Sequence, residues 1–119
     1  AEQMAVTEFF AGVAVADFGA ALAWYERLFG KPPDFFPHES EAVWRVIDHA
    51  WVYVVADAER AGRGLITILV EDLEQQVAEL AERGIETDPI ETIPGAVRKA
   101  ELTDPEGNRI TFGQPLAQG

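Results

Sequence analysis

The 119-residue sequence contains no cysteine. That excludes disulfides, thiolate metal sites and cysteine nucleophiles. Histidine is nearly as scarce, with only His38 and His49. Serine occurs once, at Ser40, outside the glycine-flanked turn that exposes a serine nucleophile. Gly62-Arg63-Gly64 lacks the full glycine pattern of a phosphate loop. No apolar run reaches the roughly 18 residues of a membrane span. The first residues carry no basic stretch of the kind that opens a signal peptide. A cytoplasmic protein without a membrane partner is therefore expected. Basic residues are few as well: nine Lys and Arg stand against 21 Asp and Glu, a formal net charge of −12. A surface this acidic repels phosphate backbones and attracts cations, so nucleic acid is not an expected partner. Arg outnumbers Lys and Ala is abundant, a compositional hint of a bacterial source.

What is present reads as one globular domain over 1–119, since 48% of residues are hydrophobic and 25% charged. Val15-Ala16-Asp17 returns 55 positions later as Val70-Glu71-Asp72, and an internal repeat governs any fold assignment. Module one is expected over about 6–57, a linker over about 58–64 and module two over about 65–115. Each module opens with a strand-like run, Phe9 to Val15 in the first. An Asp N-cap and an amphipathic helix follow. Phe18, Ala21, Leu22, Tyr25, Leu28 and Phe29 form the first apolar stripe, and Gly30 ends it. Asp72 with Gln75 forms a capping-box-like start to the second helix. Leu73, Val77, Leu80 and Ala81 continue its stripe, and Gly84 stops it. Three strands are expected after each helix: Asp34–Pro37, Ala42–Ile47 and Ala50–Val55, then Ile85–Thr92, Ala96–Leu102 and Arg109–Phe112. Asp104-Pro105-Glu106-Gly107-Asn108 suits a type I turn closing the last hairpin. The fold class is α+β: two tandem βαβββ modules whose curved mixed sheets form half-barrels around a cavity.

Three segments carry a family resemblance: Val13 to Asp17, Ala23 to Gly30, and Asp104 to Phe112. In them the chain resembles the vicinal-oxygen-chelate superfamily of glyoxalases, bleomycin-resistance proteins and extradiol dioxygenases. The resemblance implies the fold across nearly the whole chain, and a homodimer in which two modules share each cavity. It also implies a divalent metal held by His, Glu or Gln on the first and fourth strands of each module. Those positions fall on Phe10, Tyr53, Leu65 and Thr111. Phe and Leu donate no lone pair, and Tyr and Thr donate weakly without deprotonation. No metal, cofactor or catalytic residue is therefore expected. His38-Glu39-Ser40-Glu41 reads as a solvated turn.

Strand alternation separates two faces. Val13, Val15, Val52, Val54, Ile66, Ile68, Ile110 and Phe112 share the core parity. The opposite parity holds Glu8, Phe10 and Gly12, then Trp51, Tyr53 and Val55, then Leu65, Thr67 and Leu69, then Arg109 and Thr111. A small-molecule pocket is expected there, lined by Glu8, Phe10, Trp44, Trp51, Tyr53, Leu65, Thr67, Arg109 and Thr111, with Trp44 able to join either face. Trp24, at the flank of its stripe, is a candidate to cover a neighbouring module or subunit. The expected function is small-molecule binding of the bleomycin-resistance type, with a cationic or aromatic ligand. Two alternatives stand beside it. One is a metal-independent lyase or isomerase with Glu8 or Glu101 as base and Tyr53 as acid. The other is a non-catalytic interaction module.

Overall fold

A computed structural model describes residues 5–116. The element order is β1 (Phe9–Val15), α1 (Phe18–Phe29), β2 (Phe35–His38), β3 (Glu41–Ile47), β4 (Ala50–Ala56), β5 (Leu65–Leu69), α2 (Leu73–Glu82), β6 (Glu91–Ile93), β7 (Val97–Thr103) and β8 (Arg109–Pro115). Both helices start as the caps direct. Asp17 Oδ1 accepts from Ala20 N at 3.1 Å, and Asp72 Oδ1 from Gln75 N at 3.1 Å. The second capping box is only half formed, because Gln75 Nε2 donates to Glu79 rather than back to Asp72. Gly30 takes the left-handed conformation, φ 73°, and its N–H closes α1 onto Glu26 O.

Each module contributes one four-stranded sheet, ordered β1-β4-β3-β2 and β5-β8-β7-β6. The first strand of each pairs parallel with the last, and the others pair antiparallel. The sheets are open, not closed barrels. Several strands depart from expectation: the seventh is shifted by one residue, to Val97–Thr103, and the eighth runs on to Pro115. The second begins one residue late and carries a bulge between Phe35 and His38. The sixth shrinks from Ile85–Thr92 to Glu91–Ile93. Ile85 is buried and its N–H closes α2 onto Leu80 O, while Pro89 has no N–H to give a ladder. Among the described residues no helix is long and apolar enough to cross a membrane.

One core joins the modules. Val13, Val15, Tyr25, Leu28, Trp44 and Val54 from the first pack with Leu73, Leu80, Ile110 and Phe112 from the second. Trp24 belongs to this core too, edge-on to Tyr25 with centroids 4.8 Å apart. The radius of gyration is 15.2 Å, against about 13.5 Å for a compact chain of this length. The modules thus lie side by side in a slab of 48 × 44 × 25 Å.

A polar knot locks them together. Asp104 and Asn108 are the two buried polar residues of the described chain. Tyr25 Oη donates to Asp104 Oδ2 at 2.8 Å, and Asp104 Oδ1 accepts from Glu106 N and Asn108 N, each at 2.9 Å. Asn108 Nδ2 donates to Ala14 O at 3.0 Å and to Asp104 Oδ2 at 2.8 Å, and Asn108 Oδ1 accepts from Gly64 N at 2.7 Å. Glu106 accepts from Ala16 N and Asp17 N at 2.6 and 2.7 Å, just before α1. Its negative charge there complements the positive end of the helix dipole.

Asn108→Ala leaves the Gly64 N–H and the Ala14 carbonyl without these partners. It should cost about 2–4 kcal/mol in urea unfolding, whereas Arg60→Ala, which breaks the exposed pair with Asp57, should cost under about 0.5 kcal/mol. Equal losses would show that the knot is not the structural tie. Burial first, and the Asp104 carboxylate next, hold the Tyr25 phenol well above its ordinary range. Below about pH 10 that phenol is protonated in both states, so its contribution is complete. Above it the unfolded chain ionises first and stability is lost. Tyr25→Phe should flatten that alkaline decline by roughly one proton's worth, about 1.4 kcal/mol per pH unit. Unfolding curves from pH 9 to 11.5 with identical slopes would refute this.

Candidate functional site

The sheet faces turned away from the core are open. On module one the register sets Phe10 beside Trp51 and Gly12 beside Tyr53. The Phe10 and Trp51 rings lie 5.7 Å apart with only 10° between their planes. They form one flat aromatic floor. Phe35 stands against Trp51 at 5.8 Å and 76°, making a wall. Phe10 is 48% exposed and Phe35 43%, so both rings present real area to solvent. Sequence reasoning missed Phe35, because its face follows from pairing with Val43 across the β2 bulge. A strict alternation count cannot see through a bulge.

Glu8 sits at the edge of this floor. Its carboxylate accepts from the Trp51 indole N–H at 3.1 Å, and His49 Nδ1 lies 3.3 Å away. The indole hydrogen bond, chiefly, together with His49 and the Arg45 charge, holds the Glu8 carboxyl below its usual range. Arg45 pairs with Trp51 across β3 and β4, which places it on the same face. His49 itself takes φ 65° in the tight β3–β4 turn, a conformation uncommon for a residue with a side chain. Tyr53 lies flat over Gly12. A Cβ at position 12 would come within 2.6 Å of the Tyr53 hydroxyl oxygen, so only glycine leaves room for the ring in this pose.

Module two presents a different surface. Leu65 pairs with Arg109, and Thr67 with Thr111. Leu65 is 80% exposed and Leu69 61%. Thr67, Leu69, Val97, Lys99, Thr111 and Gly113 line a depression of about 460 Å³. Beside it runs a charge ladder: Lys99 Nζ to Glu101 at 3.1 Å, and Arg109 to Glu101 at 3.1 Å. The hydrogen bond from Lys99 first, then the two cationic charges, lower the Glu101 carboxyl.

Trp44 is a correction. Expected at the pocket, it is fully buried. Its partner across the sheet is Val52, on the core parity. Its indole N–H donates to Lys31 O at 2.9 Å, and its ring packs on Phe29 at 5.3 Å. Arg98 also faces the helix side, bonded to Glu74 of α2 at 2.9 Å. The structure thus brings Glu8, Phe10, Trp51 and Tyr53 together on one sheet, and Leu65, Thr67, Arg109 and Thr111 on the other. A separate cleft of about 250 Å³ opens on the helix side, near Phe29, Ile68 and Phe112. Its Lys31 ammonium is already held by Asp34 and the Arg45 carbonyl.

The four positions implied for a metal sit symmetrically. Tyr53 lies two residues beyond the Phe10 partner, and Thr111 two beyond the Leu65 partner. Phenyl and isobutyl groups supply no donor atom, and the set does not fit a divalent ion. Among the described residues no three His, Asp or Glu side chains gather where a cation could be held.

With this geometry in hand, comparison with known proteins is informative. The model of the Glyoxalase/Bleomycin resistance protein/Dioxygenase superfamily matches residues 7–112, and the chain belongs to that family. It is similar to a glyoxalase/bleomycin resistance protein from Catenulispora acidiphila DSM 44928, at 48% identity and TM-score 0.85, over 90% of this chain and 96% of the other. TnmS3, an antibiotic binding protein from Streptomyces sp. CB03234, shares the fold at 23% identity and TM-score 0.76, over 96% of this chain and all of the other. TioX from Micromonospora sp. ML1 does so at 18% identity and TM-score 0.73, over 92% of this chain and 98% of the other. No match is found among curated proteins.

The indole N–H resonance of Trp51 should report Glu8. Followed by NMR from pH 7 downward, its Glu8-linked shift should have its midpoint below pH 4.5. Glu8→Gln should abolish the step. A midpoint at or above pH 4.5 would contradict the bond that holds Glu8 ionised.

Proposed function

We propose that this protein binds a small aromatic or cationic molecule on its open sheet faces and acts by sequestering it, without a metal. The observation that carries this reading is the flat Phe10–Trp51 floor, walled by Phe35 and edged by the ionised Glu8. A conjugated ring stacks on such a floor, and a cation is drawn both to the ring faces and to the carboxylate. The formal charge of −12 concentrates cations near the surface. The antibiotic binding of the similarly folded TnmS3 is consistent with the same use of the fold. Binding alone is enough for sequestration, so no reacting residue is required.

A homodimer completes the reading. Each chain offers an aromatic, acidic face on module one and an aliphatic, hydroxyl-bearing face on module two. Both lie open, with Phe10 and Phe35 exposed on the first and Leu65 and Leu69 on the second. A second copy covering these faces would enclose two equivalent cavities. The metal-independent enzyme is less well supported. Glu8 and Glu101 are both held below the ordinary carboxylate range, which makes them weak proton acceptors at neutral pH.

Titration with metal-free bleomycin, followed by tryptophan fluorescence, tests the reading. Trp24 and Trp44 are buried in the core, so quenching reports Trp51. Saturation at one ligand per chain is expected. By calorimetry, Trp51→Leu should weaken binding about thirtyfold, and Glu8→Gln about fivefold for a cationic ligand. Unchanged fluorescence to high micromolar would reject this ligand, and full affinity in Trp51→Leu would move the site elsewhere.

A further inference from the structure

The cations of this acidic protein are mostly occupied. Lys31 is paired with Asp34, Arg60 with Asp57, Arg98 with Glu74, and Lys99 and Arg109 with Glu101. Arg83 donates to the carbonyls of Arg27 and Leu28 at the end of α1. Arg27, on α1, lies on the helix side, and Arg45 contributes its charge to Glu8. Arg63 has no carboxylate partner among the described residues.

The backbone around Arg63 is fixed from both sides. Gly62 takes φ 83°, and a Cβ there would meet the Glu106 carbonyl oxygen at 2.7 Å. A Cβ on Gly64 would meet Asn108 Oδ1 at 2.8 Å. The Gly64 N–H and carbonyl bond to Asn108 Oδ1 and Arg109 N at 2.7 and 2.8 Å. Both glycines are therefore needed for close approach, and Arg63 is held between them. With Arg60 it lines a depression of about 350 Å³ floored by Gly12, Ala14 and Gly64. That floor continues the aromatic face. Phe10, Gly12 and Ala14 follow one another along the same side of β1, and Phe10 to Ala14 spans about 13 Å at the usual strand rise. Between them the Tyr53 ring lies over Gly12, so an arm running from Phe10 to Ala14 crosses an aromatic surface.

Building on the ligand face described above, we propose that Arg63 is a specificity-determining residue. It receives a carboxylate-class anion carried on an arm of a ligand whose ring lies on Phe10 and Trp51. The planar guanidinium fork matches a carboxylate in two hydrogen bonds. Glu8 at the other end of β1 selects a cationic group. The preferred ligand is thus amphoteric, with its charges ordered along the strand.

Three probes separate the two readings: 9-aminoacridine, 6-(acridin-9-ylamino)hexanoic acid, and the methyl ester of that acid. Each is titrated by Trp51 quenching into the full chain and into Arg63→Gln. The acid should bind about fivefold tighter than its ester, and high salt should narrow the gap. In Arg63→Gln the gap should fall below about twofold while 9-aminoacridine affinity stays unchanged. Equal affinity of acid and ester, or an equal loss for all three probes in Arg63→Gln, overturns the anion site and leaves the ring site standing. Failure of all three to bind overturns the ligand-face reading, and this inference with it. Sedimentation of Arg63→Gln should match the unaltered chain. Altered self-association would assign Arg63 to a subunit contact instead.

Discussion

The structure depends on a buried carboxylate. Asp104 sits where no bulk water reaches, and an ionised group there is tolerable only when its lone pairs are answered. Four donors answer it: the Tyr25 hydroxyl, the Asn108 side-chain amide, and the backbone N–H groups of Glu106 and Asn108. Tyr25 comes from the first module, while the other three come from the turn itself. Asn108 then carries the network outward to Ala14 of β1 and Gly64 of the linker. Hydrophobic contact between the modules is non-directional and would tolerate sliding. The knot removes that freedom, and so it sets where the two open faces stand.

Much of this was legible in the sequence. The repeat, both helix caps and the core parity of β1, β4, β5 and β8 follow from spacing, because helices and strands impose periods of 3.6 and 2 on their buried residues. The offset between modules is 55 residues at the helix starts and 59 at the last strands. The longer Asp104–Asn108 turn, set against the tight Asp48–His49 turn, accounts for three of those four residues. Three things were not legible. Trp44 has apolar neighbours on both sides of its strand, so composition could not choose its face; pairing with Val52 did. Phe35 follows a bulge, which resets the alternation. The short β6 reflects Ile85, whose apolar character served the end of a helix rather than a strand.

For the open faces, the sequence indicated which residues share a side of each strand but not the chemistry between them. That Glu8 accepts from the Trp51 indole, or that Tyr53 covers Gly12, depends on cross-strand register, which no single strand encodes. The register also exposes an asymmetry. Module one carries rings edged by Glu8 and Arg45, and module two carries methyls, hydroxyls and the Lys99–Glu101–Arg109 ladder. The two βαβββ units thus differ on their outer faces while their inner faces share an aliphatic pattern. Stability constrains the inner set, and recognition is free to act on the outer.

The knot is one-sided, and this bears on how the chain is made. The N–H groups of Ala16 and Asp17 are answered by Glu106, 90 and 89 positions later. During synthesis the first module leaves the ribosome with those donors and the Tyr25 hydroxyl lacking their partners in the second. It cannot reach its final state until the closing hairpin has been added. Each βαβββ unit carries the full set of elements for a fold of its own, yet the first is completed only by the second.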